Sequence, residues 1–422
     1  MYLIYSVGLG ILLALAAPVY AWRGRRSGKY LRTFHARLGN LPPDVRAERP
    51  GAIWIHAVSV GEVLAARVLI RPLRERLAGR TVFVSTTTVT GHEVARATLK
   101  DVDGLFFAPF DFSFAVRRVL AAIRPSLVVL VETEIWPNLI RESRRAGARV
   151  AIVNGRLSPR SFPRYRRIRA FLRPVLAGID AFLMQAEPHA DRARAIGAPA
   201  ERVRVAGNLK FDAVPDVSRT QDLERVFAGV RGPIFLAGST VAGEEESVLA
   251  AYRSARAAVP GLRLVIAPRH PERFGEAGER IAEAGLRFAR RSGLGEGSWG
   301  GEVVLLLDTL GDLAHAYTFA TVVFVGGSLV PAGGPNVLEP AAAARAVVVG
   351  PHMENFQEIA RAFLAEEALV QVASAEALGP ALIHLLADPE ARARLGTRAR
   401  DVVERNRGAV ARTVEALAEL LA

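Results

Sequence analysis

The sequence predicts an α/β protein: two doubly wound, parallel-sheet domains that follow an apolar N-terminal helix. Three observations lead there. The chain has 422 residues, too many for one ordinary core of roughly 100 to 150 residues. Half of them are hydrophobic and 23% are charged, which excludes a largely disordered or fibrous chain. Short apolar runs recur along the whole length, each followed by a helix-length amphipathic stretch, as in buried parallel strands joined by helical crossovers.

Taken in order, residues 1–22 carry no charge, and as a helix they would extend roughly 33 Å, enough to cross a bilayer core. Arg23, Arg25, Arg26 and Lys29 follow at once. The positive-inside tendency then predicts a single-pass anchor with everything after residue 23 on the cytoplasmic side. A cleaved signal peptide is the rival reading, because Val19-Tyr20-Ala21 is similar to a small-residue cleavage site, but no positive charge precedes the apolar part. A first domain over 23–212 has strands expected at 53–57, 81–85, 105–108, 127–131, 150–153 and 181–184. A second over 213–422 has them at 234–237, 264–267, 303–307, 322–325, 346–349 and 369–372. The polar stretch 208–219, with Pro215, reads as the linker, and one or two amphipathic helices close the chain from Pro389.

Composition narrows the partners. Lysine and arginine total 55 against 42 acidic residues, net +13, with only three lysines, so polyanions are favoured. The basic residues concentrate at 23–29 and at 156–173, where seven arginines interleave with Phe162, Tyr165 and Phe171. Guanidinium forks there suit phosphate oxygens and their neighbours suit acyl chains. A nucleic-acid partner is disfavoured, since no recognition motif accompanies the charge. The absence of cysteine removes disulfides and thiolate chemistry. Eight scattered histidines with no i, i+4 pair give no metal signal, so neither metal nor cofactor is expected.

In doubly wound sheets ligands bind beyond the carboxyl ends of the strands. The first strand ends in His56-Ala57-Val58-Ser59-Val60-Gly61-Glu62, without the G-x-G-x-x-G of a dinucleotide-binding oxidoreductase. Glu62 is open to two readings: a first-turn carboxylate suited to general-base work, or the carboxylate of a Ser59-x-x-Glu62 capping box. The fourth strand ends in Glu132-Thr133-Glu134-Ile135-Trp136-Pro137-Asn138, whose carboxylates are either crevice groups or first-turn complements of a helix dipole. The fifth ends in Asn154-Gly155-Arg156, and Arg156, Arg164, Arg166 and Arg167 are candidate acceptor-binding residues. In the second half, Gly238-Ser239-Thr240, Gly326-Gly327-Ser328 leading through Gly333-Gly334 to Asn336-x-x-Glu339, and Gly350-Pro351-His352 before Asn355 offer loops whose N–H groups suit a phosphate. Arg269-His270 adds a cation at a strand end. Ser239, Thr240, Arg269, His270, Gly333, Gly334, Asn336 and Glu339 are therefore the candidate nucleotide-donor residues, with a capping role as the alternative for Asn336 and Glu339.

Taken together, the blocks at 56–62 and 132–138, Asn154-Gly155-Arg156-Leu157-Ser158, Gly207-Asn208-Leu209-Lys210-Phe211-Asp212, Pro268-Arg269-His270-Pro271-Glu272-Arg273, Gly333-Gly334-Pro335-Asn336 with Leu338-Glu339-Pro340, and Gly350-Pro351-His352 give a chain that resembles the bacterial 3-deoxy-D-manno-octulosonic acid (Kdo) transferases of lipopolysaccharide synthesis. The resemblance implies a GT-B fold, two Rossmann-like domains facing across a cleft. It further implies inverting transfer of Kdo from CMP-Kdo to an anionic lipid A precursor, without a bound metal, at the inner membrane and its lipids. It implies Glu62 as general base and Glu132 in a second acidic motif, with Arg269, Asn336 and Glu339 on the nucleotide. Pro335 departs from the family pattern, which has a larger polar residue there. A UDP-sugar-dependent transferase acting on a lipid-linked precursor, and a membrane-tethered binding protein that has lost catalysis, are the alternatives.

Overall fold

The computed structural model describes residues 1–27, 31–214, 220–295, 297–300, 303–334 and 336–422, and the side chains of 17–32 lie outside that description. The chain divides into two compact units, Met1–Ala213 with Arg407–Ala422, and Val214–Asn406.

The first unit holds a seven-stranded parallel sheet of β1 (Ala52–His56), β2 (Val82–Thr86), β3 (Gly104–Phe107), β4 (Pro125–Val131), β5 (Arg149–Gly155), β6 (Ala181–Met184) and β7 (Val203–Val205), in the order β3-β2-β1-β4-β5-β6-β7. β1 pairs with β2 on one side and β4 on the other, so that Ile55 lies between Val84 and Val129. The direction of winding reverses between β1 and β4, which opens a crevice at their carboxyl ends. Alternation along β1 serves two cores: Ile53 and Ile55 join Val63, Ala66 and Leu69 on one face, and Trp54 joins Phe83 and Phe106 on the other. Seven helices of this unit matter below: α1 (Tyr2–Ser27), α2 (Leu31–Arg37), α3 (Val60–Arg76), α4 (Val89–Thr98), α5 (Ser113–Ile123), α6 (Pro137–Arg145) and α7 (Phe162–Arg167), with α8 (Arg169–Leu176) next to the last of these.

Two expectations need correction here. The final helix, Ala409–Glu419, was expected with the second domain but belongs to the first unit. Its Ala409, Val410, Val414 and Leu417 complete the core around α3, and Asp212 accepts hydrogen bonds from the Gly408 and Val410 N–H groups at its start (2.7 and 2.6 Å). The front of the expected linker is therefore packed structure, with Leu209 and Phe211 buried. The membrane span expected over 1–22 is not supported either: among the described residues no helix is long and apolar enough to cross a membrane.

The second unit repeats the plan with β8 (Ile234–Thr240), β9 (Arg263–Pro268), β10 (Phe288–Arg290), β11 (Val304–Leu306), β12 (Val322–Val325), β13 (Ala346–Val349) and β14 (Val370–Gln371). These pair in parallel in the order β10-β11-β9-β8-β12-β13-β14. Its core gathers Phe235, Tyr252, Ile266 and Phe324. The winding reverses between β8 and β12, so the glycine-rich ends at 238–240 and 326–328 come together.

Candidate active site

The crevice of the first unit is built around Glu62. β1 ends at His56, Ser59 caps α3 in an extended conformation, and Glu62 falls in the first turn. Its carboxylate turns back to accept from the Val58 N–H (2.6 Å) and from the Ser59 hydroxyl (2.9 Å). This is a reversed form of the expected capping box, since Ser59 donates to the carboxylate and caps no backbone N–H. The turn is braced from α4, where Gly91 sits so close that a β-carbon would meet Ser59 and Val58 backbone atoms at 3.3 and 3.4 Å. Glu62 is 7% exposed. Burial pushes its carboxyl up to about 8 against the pull of the Val58 N–H, and the charges of Glu134 and Glu132 push the same way.

The second acidic motif enters from the neighbouring strand. Glu132 takes a left-handed conformation (φ 62°) while its N–H bonds to Val153 (2.8 Å), which turns the chain out of β4 at the sheet end. Its carboxylate lies 3.6 Å from the Arg156 guanidinium, and Thr133 and Arg156 exchange hydrogen bonds that tie the ends of β4 and β5. Glu134 accepts from the Trp136 indole N–H (2.6 Å), and burial raises its carboxyl. Three carboxylates thus share one electrostatic neighbourhood.

Beneath them lies a buried polar layer to which sequence reasoning gave no role. Ser85 accepts from the Trp54 indole N–H (2.8 Å) and is 2.8 Å from His56 Nδ1. Because an indole only donates, the Ser85 proton is free for His56 Nδ1. The Nε2 of His56 has no hydrogen-bond partner, and its ring meets Trp136 edge-on at 4.9 Å. Burial lowers His56 to about 4, so it is a neutral spacer at ordinary pH. Its place inside the sheet follows only from the pairing of β1 with β2.

Of the four candidate acceptor arginines, Arg156 joins the acidic group. Arg164, Arg166 and Arg167 stand exposed on α7, with Arg166 over the Phe162 ring at 5.8 Å.

The second unit sorts its candidates into exposed and committed groups. Arg269 and His270 are exposed just beyond β9. Ser239 is left-handed (φ 57°) and bonds to the Tyr317 hydroxyl, which burial and Glu339 hold well above its ordinary pKa. Asn336 accepts from the Leu338 N–H (3.1 Å) and donates to Glu339 (3.3 Å), whose carboxyl burial raises. Thr240 is fully buried and gives its hydroxyl to Glu245 (2.9 Å); Glu245 is gripped in turn by Arg273 at 2.8 and 3.1 Å. The N–H groups of Gly327, Ser328 and Leu329 are already taken by the buried Glu244 carboxylate. That loop, read from sequence as a phosphate cradle, holds an internal anion. Gly333 and Gly334 press against Asn355 and Met353 so closely that a β-carbon would clash. Pro335 lies outside the described residues. Among the described residues no group of three or more His, Asp or Glu side chains is placed to hold a metal ion.

Residues 32–213 match the family model described as 3-deoxy-D-manno-octulosonic-acid transferase (kdotransferase). The chain is 36% identical to the 3-deoxy-D-manno-octulosonic acid transferase of Haemophilus influenzae over 96% of its own length and 93% of that protein. It is also 36% identical to the Bordetella pertussis protein of the same name, over 97% and 98%. Among solved structures it is similar in fold to a glycosyltransferase from Rickettsia africae (TM-score 0.55, 13% identity, 88% of this chain and 99% of that one). A UDP-GlcNAc 2-epimerase from Neisseria meningitidis is as similar (0.56, 13%, 87% and 100%). At such identities these two show the fold alone.

Proposed function

The chain belongs to the 3-deoxy-D-manno-octulosonic acid transferase family, and from that membership we propose that Glu62 is the general base of an inverting Kdo transfer from CMP-Kdo to a lipid A precursor of the lipid IVA type. The protein is a glycosyltransferase that transfers Kdo in lipopolysaccharide synthesis. The observation that supports the base assignment is the Glu62 carboxylate itself: buried, fixed by two donors, and raised to about 8. A base is most effective with a pKa near the working pH.

In the proposed reaction a sugar hydroxyl of the acceptor attacks the anomeric carbon of Kdo from the face opposite CMP. The bond to the CMP phosphate oxygen breaks as the new glycosidic bond forms, and Glu62 takes the hydroxyl proton. CMP leaves with the bonding electron pair, so no covalent intermediate is needed. Glu134 and Glu132, the latter 3.6 Å from Arg156, raise the proton affinity of Glu62. On the donor side, the exposed Arg269 and His270 meet the phosphate or the Kdo carboxylate, and Glu339, oriented by Asn336, meets the ribose hydroxyls. Ser239 contacts the donor, whereas Thr240 and the glycines at 333–334 shape the loops that carry it. Arg164, Arg166 and Arg167 receive the acceptor phosphates. The enzyme works at the inner membrane with both domains on the cytoplasmic side.

The test is transfer of radiolabelled Kdo by the Glu62→Gln variant. A loss of about 10² to 10⁴ in turnover with nearly unchanged CMP-Kdo affinity supports the assignment. Unchanged turnover would make Glu62 a structural cap.

A further inference from the structure

We infer that His56 is a positioning residue of the transfer site: locked by Ser85, its ring holds the Trp136 indole, and the indole holds the Glu134 carboxylate in the neighbourhood of Glu62. This deepens the base assignment above, on which only its kinetic readout rests.

The backbone around Glu134 does not fix that side chain by itself. Glu134, Ile135 and Trp136 form an irregular stretch between β4 and α6, without a helical turn or a strand ladder. Glu132 is placed by the end of β4 and by Arg156, whereas the hydrogen bond described for the Glu134 carboxylate comes from the Trp136 indole at 2.6 Å. That donor favours the ionised form against the burial that opposes it. Wherever the indole goes, the charge goes with it. Trp136 is half-buried against the core of its unit, and His56 meets it from inside the sheet. The two rings stand edge to face, 4.9 Å apart and at 77°, a geometry that aromatic pairs favour.

The imidazole is held in turn. Trp54, fully buried, gives its indole hydrogen to Ser85 Oγ (2.8 Å), which leaves the Ser85 proton for His56 Nδ1 at the same distance (2.8 Å). His56 is neutral at ordinary pH, and a neutral ring that accepts at Nδ1 carries its own proton at Nε2. That Nε2 has no hydrogen-bond partner. Burying such an N–H is costly, and leucine would fill much the same space without the cost. What leucine cannot do is accept from Ser85 and so take one fixed orientation against Trp136. Trp54, Ser85, His56 and Trp136 therefore link the middle of the sheet to the Glu134 carboxylate. The titratable and charged groups around that carboxylate are Glu62, Glu132 with Arg156, and Tyr165 of α7.

Glu134 is one of the charges that raise Glu62, so displacing or neutralising it lowers the Glu62 titration. Two substitutions do this without touching either carboxylate. Trp136→Phe keeps a ring against His56 and removes the indole donor; His56→Leu keeps the bulk and removes the orientation. Each is expected to move the midpoint of the pH–rate profile for Kdo transfer down by roughly 0.5 unit, with the KM for CMP-Kdo unchanged. In a Glu134→Gln background neither is expected to move it further. A merely structural role would shift both backgrounds alike or neither, and either result would overturn the inference. Should His56→Leu not fold, Ser85→Ala releases the ring in place and carries the same expectation. The midpoint is also read without turnover, from the pH dependence of urea stability of each variant against the same variant carrying Glu62→Gln. A lowered stability midpoint together with wild-type transfer by Glu62→Gln would sink the base assignment and support the positioning role. An unmoved midpoint with Glu62→Gln inactive would keep the base and overturn the positioning role.

Discussion

Replacing Glu62 by glutamine keeps the shape of the turn and removes the titration. The amide oxygen can still accept from the Val58 N–H, and the amide N–H can donate to the Ser59 oxygen, so the start of α3 is preserved. What changes is the coupling of folding to pH. Burial, the largest cause, raises the carboxyl from 4.5 to about 8, a shift worth about 5 kcal/mol at about 1.4 kcal/mol per unit. The folded-state value lies above the unfolded one, so folding favours the protonated form. Wild-type stability is full below pH 4.5, falls as pH rises through the window from 4.5 to about 8, and is level above it. The variant has no such slope. In urea titrations followed at the near-ultraviolet signal of the first unit, the stability of Glu62→Gln relative to wild type is expected to improve by about 3 to 5 kcal/mol between acid and alkaline conditions. Equal pH dependence in the two proteins would refute the claim that this carboxyl is buried and displaced. The same titration appears in catalysis: at pH 7 roughly one wild-type molecule in ten carries the ionised base, so kcat/KM should climb with pH and level off above 8, while the residual rate of the variant stays flat.

Removing the neighbouring charge with Glu134→Gln should move the midpoint of the wild-type pH–rate curve toward lower pH, because Glu134 is one of the groups that raise Glu62; a steady-state profile reads this directly. Glu244→Ala strands the N–H groups of Gly327, Ser328 and Leu329 at about 1 to 3 kcal/mol each, so a lower Tm together with a donor KM raised more than the acceptor KM is expected in calorimetry and kinetics. Arg164→Ser with Arg166→Ser and Arg167→Ser should raise the KM of the anionic lipid acceptor severalfold and leave that of CMP-Kdo unchanged. Asp212→Ala removes two bonds at the start of the last helix, and urea unfolding should register a loss of about 1 to 3 kcal/mol.

Much of this was legible in the sequence because parallel strands buried on both faces leave a dense apolar signature. The run at 127–131 maps onto β4, and that at 322–325 is β12 itself. β10 escaped: Phe288–Arg290 is three half-exposed residues at a sheet edge, too short and too polar to give a period. The last helix was misassigned because a chain that returns to its first domain leaves no mark in composition; only the packing of Val410, Val414 and Leu417 reveals it. The two carboxylate motifs were visible as spacing, but the burial of Glu62 and the direction of the Ser59 bond were not, since neither leaves a mark in the spacing of residues. Loop glycines misled for a related reason. Sequence shows N–H groups free to bind an anion and does not show that Glu244, more than eighty residues earlier, already fills the loop at 327–329. The uncharged start of the chain read as a span, but Tyr2, Tyr5 and Ser6, at helical spacing, set one face of it against the first unit.

The central claim is that this chain transfers Kdo with Glu62 as base. Mass spectrometry of the lipid product, after incubating purified protein with CMP-Kdo and a tetraacylated lipid A precursor, tests it most directly. The account predicts a product heavier by whole Kdo residues, with CMP released in equal number, from the wild-type chain and almost none from Glu62→Gln in the same time. Product formed at the wild-type rate by Glu62→Gln would contradict it.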